Sequence, residues 1–310
     1  MNPNSDPYTG CIITNSRIGE CGNVHSDSEW DNEISSSSIF KSCLWNKCSG
    51  NPSGAIYCHA SGLSLIINDC VFAQCVSTAP FRGLSAGSIS GAVYVNGIKE
   101  IRVDKSNFLL CSAPQNESDN AGSGAICINA VTPDIAITHS NFISCFTGSS
   151  GAALFIVFSS SVNADTASAY DCRFLCCTAD GHSPDGAGTN LYGGTGFFSF
   201  RSCIFAKLKA YYGGALCIFY PSAERDPPPI RYSFFTRNTG TQGSDVWINC
   251  GTAANTFLHC FSTSEKSVCV NYNPEQVSWL PQANINSTLM ASLSGDRHNA
   301  LHSKGISDNH

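Results

Sequence analysis

The chain has 310 residues and a formal net charge of −6, and only 13 % of its residues are charged. Gly, Ser, Thr and Asn recur throughout and are poor helix-interior residues, which excludes a helical protein and suits short strands joined by many turns. The acidic balance leaves no basic footprint for nucleic acid or for an anionic membrane, and no apolar run reaches the roughly 18 residues that span a bilayer.

The first ten residues, MNPNSDPYTG, are polar and are read as an N-terminal cap over the first turn of the repeat that follows. They lack the basic and apolar regions of a signal peptide. The chain holds 18 cysteines. Two readings of that number stand. In a secreted chain whose targeting segment is missing, the cysteines form a disulfide framework. In a cytoplasmic chain, they are buried thiols in a reducing compartment.

Residues 11–270 carry two alternating motifs. The first is aromatic-x-x-Cys, as in DCVFAQC ending at Cys75. Its anchor series runs Ile18, Trp45, Phe72, Phe108, Phe142, Phe174, Phe205, Phe235 and Phe257. Three residues later stand Cys21, Cys48, Cys75, Cys111, Cys145, Cys177, Leu208, Asn238 and Cys260. Two residues before the aromatic, four copies carry Cys43, Cys70, Cys172 and Cys203. The second motif reads SGAIYC from Ser53, SGAVYV from Ser90, SGAICI from Ser123, SGAALF from Ser150 and GGALCI from Gly213, with weaker copies GTNLYG from Gly188 and GSDVWI from Gly243.

A period of 22 to 36 residues, rich in strand formers and lacking a helical stripe, excludes helical repeat arrays and points to a parallel β-helix of about nine coils, of the pectate-lyase type. Residues i and i+2 of a strand share a face, so Cys70 and Phe72 point inward together. Cys75 has the wrong parity to join them, so the chain must bend at Ala73 or Gln74. Stacked coils then place Phe on Phe and Cys on Cys. Residues 112–122 and 178–187 are insertions, and ERDPPPI, 224–230, is a surface loop. After Cys269 the motifs stop, and 271–310 is read as a C-terminal cap around Trp279 and Leu280 followed by a disordered tail.

Alternating GGA(I/L/V) and FxxN tetrapeptides make the chain resemble the polymorphic outer-membrane proteins of chlamydiae and similar surface-protein families of protists. Gly213-Gly214-Ala215-Leu216 and Phe235-Thr236-Arg237-Asn238 match in full; elsewhere Ser replaces the first Gly and Cys replaces the Asn. The resemblance covers about residues 11–262. It implies a single right-handed β-helix acting in adhesion, without enzymatic activity.

The residues themselves offer little chemistry. A hydrolase of this shape needs clustered carboxylates, whereas Asp69 and Asp171 share a register that Ser or Asn fills in other coils, as turn residues do. Structural zinc wants paired cysteines at short spacing. The only close group, Cys172, Cys176 and Cys177, is largely explained by the ladders. No catalytic, cofactor-binding or metal-binding residue is assigned, and no cofactor is expected.

The informative feature is the face opposite Ile56, Val93, Leu191 and Val246. It carries Tyr57, Tyr94, Cys127, Leu154, Tyr192, Cys217 and Trp247. Tyr57, Tyr94, Tyr192 and Trp247 are expected at one coil position, as a stripe that either contacts an extended strand or a glycan or is covered by the insertions. Three functions follow in order: a surface or secreted adhesin-like module with a protein or glycan partner, a structural rod of an intracellular assembly, and, on fold analogy alone, a polysaccharide lyase or hydrolase. Neither nucleic-acid binding nor membrane insertion by this chain is expected.

Overall fold

The structure, a computed structural model, describes residues 8–9, 12–14, 37–50, 53–59, 62–77, 89–114, 122–130, 134–158, 167–181, 185–193, 198–219, 229–249, 257–264, 267–270 and 273–275. Every regular element among them is a strand. Three sheets have nine strands each, and a five-stranded and a two-stranded sheet accompany them. Apart from one terminal pair, all strand neighbours are parallel and come from successive repeats, so the chain visits the same sheets in the same order again and again. One pass runs through Ser64–Asn68 in the first sheet, Val71–Ala73 in the second, Val76–Ser77 in the third and Val93–Asn96 in the fourth. This is a solenoid-like all-β architecture.

The aromatic series is its axis. Trp45, Phe72, Phe108, Phe142, Phe174, Phe205 and Phe235 are paired in register along the second sheet and are buried. Their rings lie face to face. Centroid separations run from 4.5 Å for Trp45–Phe72 to 5.0 Å for Phe142–Phe174, with interplanar angles of 6° or less. That spacing is the distance between hydrogen-bonded strands, so the backbone ladder and the ring stack have one common repeat. Leu65, Ile101, Ile135 and Ile67, Val103, Ile137 form matching aliphatic columns in the first sheet.

The bend required by parity is a left-handed residue. Gln74 has φ of 54°, and its equivalents Lys47, Leu110, Ser144, Cys176, Lys207 and Arg237 lie within 52° to 56°. A second left-handed corner precedes the second sheet, at Ser42, Asp69, Lys105, His139, Asp171, Ser202, Tyr232 and His259. Asp69 and Asp171 are thus corner residues. Left-handed backbone costs a non-glycine residue roughly 1–2 kcal/mol, and stacking must outweigh that cost at two corners of each coil.

The cysteines of both ladders are small donors that satisfy corner carbonyls. The thiols of Cys111, Cys145 and Cys177 donate to the carbonyls of Phe72, Phe108 and Phe142, one coil back, at 3.3, 3.5 and 3.5 Å. At the other corner, Cys172, Cys203 and Cys260 donate to Ile137, Ala169 and Ile230. Ser106, Ser140 and Ser233 occupy that same corner and donate to the carbonyl two residues before them. Their hydroxyls also accept the N–H of the preceding coil, as Ser106 does from Cys70 at 3.1 Å. Of the fifteen described cysteines, all but Cys176 are buried. Burial pushes the thiols of Cys75, Cys145 and Cys203 well up, which keeps the proton on those three sulfurs.

The glycine of the SGA motif is set by close approach. A Cβ on Gly54, Gly91 or Gly124 would lie 2.2, 1.9 or 2.4 Å from a carbonyl oxygen of the next coil. Ser90 Oγ beside it donates to Ala125 O at 2.7 Å.

The two ends of the anchor series are corrected. Ile18 and Cys21 lie outside the described residues, and the residue paired with Trp45 is Ile13. At the far end Phe257 pairs with Ile230 in the first sheet, while Ser262 takes the position opposite Phe235. Cys260 therefore belongs to the corner that precedes the aromatic, and the ring stack ends at Phe235. The fourth sheet ends on Asn273–Glu275, antiparallel to Val268–Val270; Pro274 has no N–H to offer a further strand. The remainder of the two expected caps, the sequence tail and most of 224–230 fall outside the described residues.

Asn238 shows what the thiols replace. Its Nδ2 donates to Phe205 O at 3.0 Å, and its Oδ1 accepts Leu208 N–H at 3.0 Å. Asn238→Ala leaves both groups buried and unpaired, and urea unfolding is expected to show a loss of about 1–3 kcal/mol. Asn238→Cys keeps a donor for the Phe205 carbonyl and is expected to lose less than the alanine variant.

Candidate binding surface

The outward line of the fourth sheet follows from its register: Tyr57, Tyr94, Cys127, Phe155, Asn190, Cys217, Trp247 and Cys269. Two members of the expected stripe are displaced. Tyr192 pairs with Val157 and Phe219, one outward position further along the strand, and Asn190 takes its expected place. The cause is a slip of two residues: Gly188 sits at the alanine position of the motif, bonded through its N–H to Ala215 O, so the true copy starts at Gly186. Leu154 pairs with Ile126 and points inward, leaving Phe155 on the outer line. Here SGAAL has one residue more than SGAI, and a slip of one inverts the face.

Exposure along this line is uneven. Tyr57 is half-buried and stacks on Tyr94 at 5.5 Å and 12°. Tyr94 and Trp247 are only 1 % and 3 % exposed. Tyr192 is 45 % exposed and stacks on Phe219 at 5.0 Å, and Phe219 in turn lies 6.3 Å from Trp247. The four rings thus divide into a Tyr57–Tyr94 pair and a Tyr192–Phe219–Trp247 group. Between them Asn190 is buried and donates to Asp185 Oδ2 at 3.5 Å. Burial pushes the Asp185 carboxyl up to about 6.

A more accessible surface lies on the outer face of the first sheet, four residues before each anchor aromatic. Its outermost row is Lys41, Asn68, Asp104, Thr138, Tyr170, Arg201, Arg231 and Leu258. The N-terminal half is internally neutralised. Asp104 accepts from Asn68 Nδ2, from Thr138 Oγ1 at 2.6 Å and lies 2.9 Å from His139 Nδ1. Arg102 pairs with Glu100 and, at 2.9 Å, with Asp134.

The C-terminal half is built differently. Tyr170 and Tyr232 are 41 % and 54 % exposed. The Arg201 guanidinium lies between them, 5.9 Å from one ring centroid and 5.8 Å from the other. Tyr232, the corner residue that follows Arg231, also stacks on His259, at 5.1 Å and 5°. Arg201 and Arg231 are exposed, and among the described residues neither forms a salt bridge. A cation between two ring faces keeps its in-plane N–H donors available at the edge. The sequence does carry a signal for this row, since counting back four from Phe174, Phe205 and Phe235 gives Tyr170, Arg201 and Arg231.

A second carboxyl raised by burial, to about 6, is Asp245. It accepts from Asn238 Nδ2 at 2.9 Å and from Ser262 Oγ, and its backbone carbonyl takes the N–H groups of Ala215 and Leu216. Among the described residues no three His, Cys, Asp or Glu side chains converge as a metal site, and no helix is long and apolar enough to cross a membrane. The chain matches no protein-family model, no curated protein and no solved structure.

Asp185 and Asp245 set a pH dependence. Each folded-state value lies above the ordinary 3.8, so the folded state favours the protonated acid. Their contribution to stability is complete below about pH 4 and is lost as pH rises through about 6. Thermal unfolding of Asp245→Asn, followed across that interval, is expected to show a flatter dependence than the parent, and Asp185→Asn with Asp245→Asn flatter still.

Proposed function

We propose that the chain is a single right-handed parallel β-helix of about nine coils, of the polymorphic outer-membrane protein kind, acting as a non-enzymatic, adhesin-like surface or secreted module that binds a protein or glycan partner along a flat face. The observation that carries this reading is the exposed Tyr170–Arg201–Tyr232 row. Aromatic and arginine side chains concentrate binding energy where partners dock, and a solenoid repeats such groups at strand spacing along its length. The non-enzymatic part is supported by the two raised carboxyls, each engaged by Asn side chains of its own fold.

A second reading, a structural rod inside the cell, is favoured by the fourteen buried cysteines, since buried thiols suit a reducing compartment. The two separate in a binding assay. Purified protein is expected to bind cells or extracellular-matrix components saturably, and Tyr170→Ala with Tyr232→Ala to weaken that binding at least tenfold with an unchanged β-rich spectrum. Undiminished binding by the double variant, or release of new reducing ends from polysaccharides by the parent protein, would overturn the reading.

A further inference from the structure

We infer that Asp245 is a proton-operated latch on the last coil, the one that carries Phe257–Leu258, Phe261–Ser262 and Val268–Val270. The coil is held closed while the carboxyl is protonated and is released when it ionises. Ala55, Ala92, Ala125 and Ala215 fill the same position in other copies of the motif, and all are buried. Asp245 puts an acid there, 1 % exposed, in place of a small apolar side chain.

The residue ties three coils together. Its backbone carbonyl accepts the N–H groups of Ala215 and Leu216, from the preceding coil, at 2.8 and 2.9 Å. Its own N–H donates to Ser267 O of the last coil at 2.9 Å. Its carboxyl accepts from Asn238 Nδ2 at 2.9 Å, within its own coil, and from Ser262 Oγ in the last. Ser262 stands opposite Phe235, so the last coil lacks the ring that stacks the coils before it. Phe257 meets Phe235 only edge-on, at 6.4 Å.

Ionisation acts on this tie. A carboxylate taken out of water needs compensating partners, and the groups facing this one supply two neutral donors and no cation. Asn238 and Ser262 do not titrate, Arg237 is exposed, and the Cys260 thiol is turned to Ile230 O. None of the described ion pairs involves Asp245. Burial pushes the carboxyl up to about 6, with the Ser262 and Asn238 bonds offsetting part of the rise. The closed coil therefore favours the acid form. Closure is fully supported below about pH 4 and loses that support as pH rises through about 6. Opening frees the Val246–Asn249 edge of the fourth sheet, and such an edge can pair with another strand.

Amide hydrogen exchange of the full chain tests this, read peptide by peptide at about pH 4 and about pH 8 and corrected for the intrinsic rate. Protection across 257–270 is expected to fall roughly fiftyfold between the two, levelling off above about pH 6. The coils through Phe72, Phe108 and Phe142 should change far less. Asp245→Asn should leave the last coil equally protected at both pH values, and Asp185→Asn should leave the fall in place. Ser262→Ala removes a donor to the carboxylate and should move the levelling point to higher pH, whereas a merely structural role would lower protection without moving it. Should Asp245→Asn fail to fold, the Ser262→Ala profile decides alone. The inference is overturned by pH-independent protection of 257–270 in the parent, by an equal loss in every coil, by a fall that persists in Asp245→Asn or vanishes in Asp185→Asn, or by an unmoved levelling point in Ser262→Ala.

Discussion

Each inward side chain of this protein sits on its own equivalent, one strand spacing away. That constraint decides which residues the interior accepts. A flat ring stacks on itself at the strand spacing, as the run from Trp45 to Phe235 does. β-branched and leucine side chains do so in the aliphatic columns. A charged side chain could not, because like charges would be held within a few ångströms in a low-dielectric interior. Most corners obey a related rule: a small polar side chain bonds a backbone group of the adjacent coil without crowding the residue stacked on it. Cysteine, serine and asparagine each do so: Cys145 donates to Phe108 O, Ser106 accepts the N–H of Cys70 and Asn238 donates to Phe205 O.

This gives the cysteine count a structural meaning that needs neither disulfides nor metal. A thiol buried in apolar surroundings is held protonated and unreactive, and a protonated thiol is a donor. Adjacent thiols in the ladders are separated by one coil, a distance compatible with a bridge. The thiol is nonetheless the form that supplies a hydrogen to the carbonyls of Phe72, Phe108 and Phe142. Replacement of Cys by Leu208 in one coil and by Asn238 in the next fits a position defined by size and stacking.

The interior was legible in the sequence because it is governed by equivalence between coils, and equivalence repeats. Phe72, Phe108, Phe142, Phe174, Phe205 and Phe235 could be aligned by eye, and their stacking followed. The outside was legible only where the turn preceding each strand kept its length. One extra residue before Leu154 exchanged it with Phe155, a two-residue slip at Gly188 displaced Tyr192, and a changed spacing at the last coil put Phe257 in the wrong sheet. The accessible row through Tyr170, Arg201 and Arg231 had the better anchor, since it is tied to the aromatic series itself. It went unread because its members differ from coil to coil, and solvent-facing positions need not resemble their neighbours.

The central claim is that stacked thiols and rings fill the interior of one continuous ladder. Pulsed alkylation of the native protein with peptide mapping tests it directly, followed by alkylation in denaturant without reductant. Among the described cysteines, Cys176 is the half-exposed one, and it is expected to label first. Cys48, Cys75, Cys111, Cys145 and Cys177 should label only on unfolding, and then completely. Rapid labelling of those five in the native state would contradict the interior ladder, and their failure to label after denaturation would contradict free thiols.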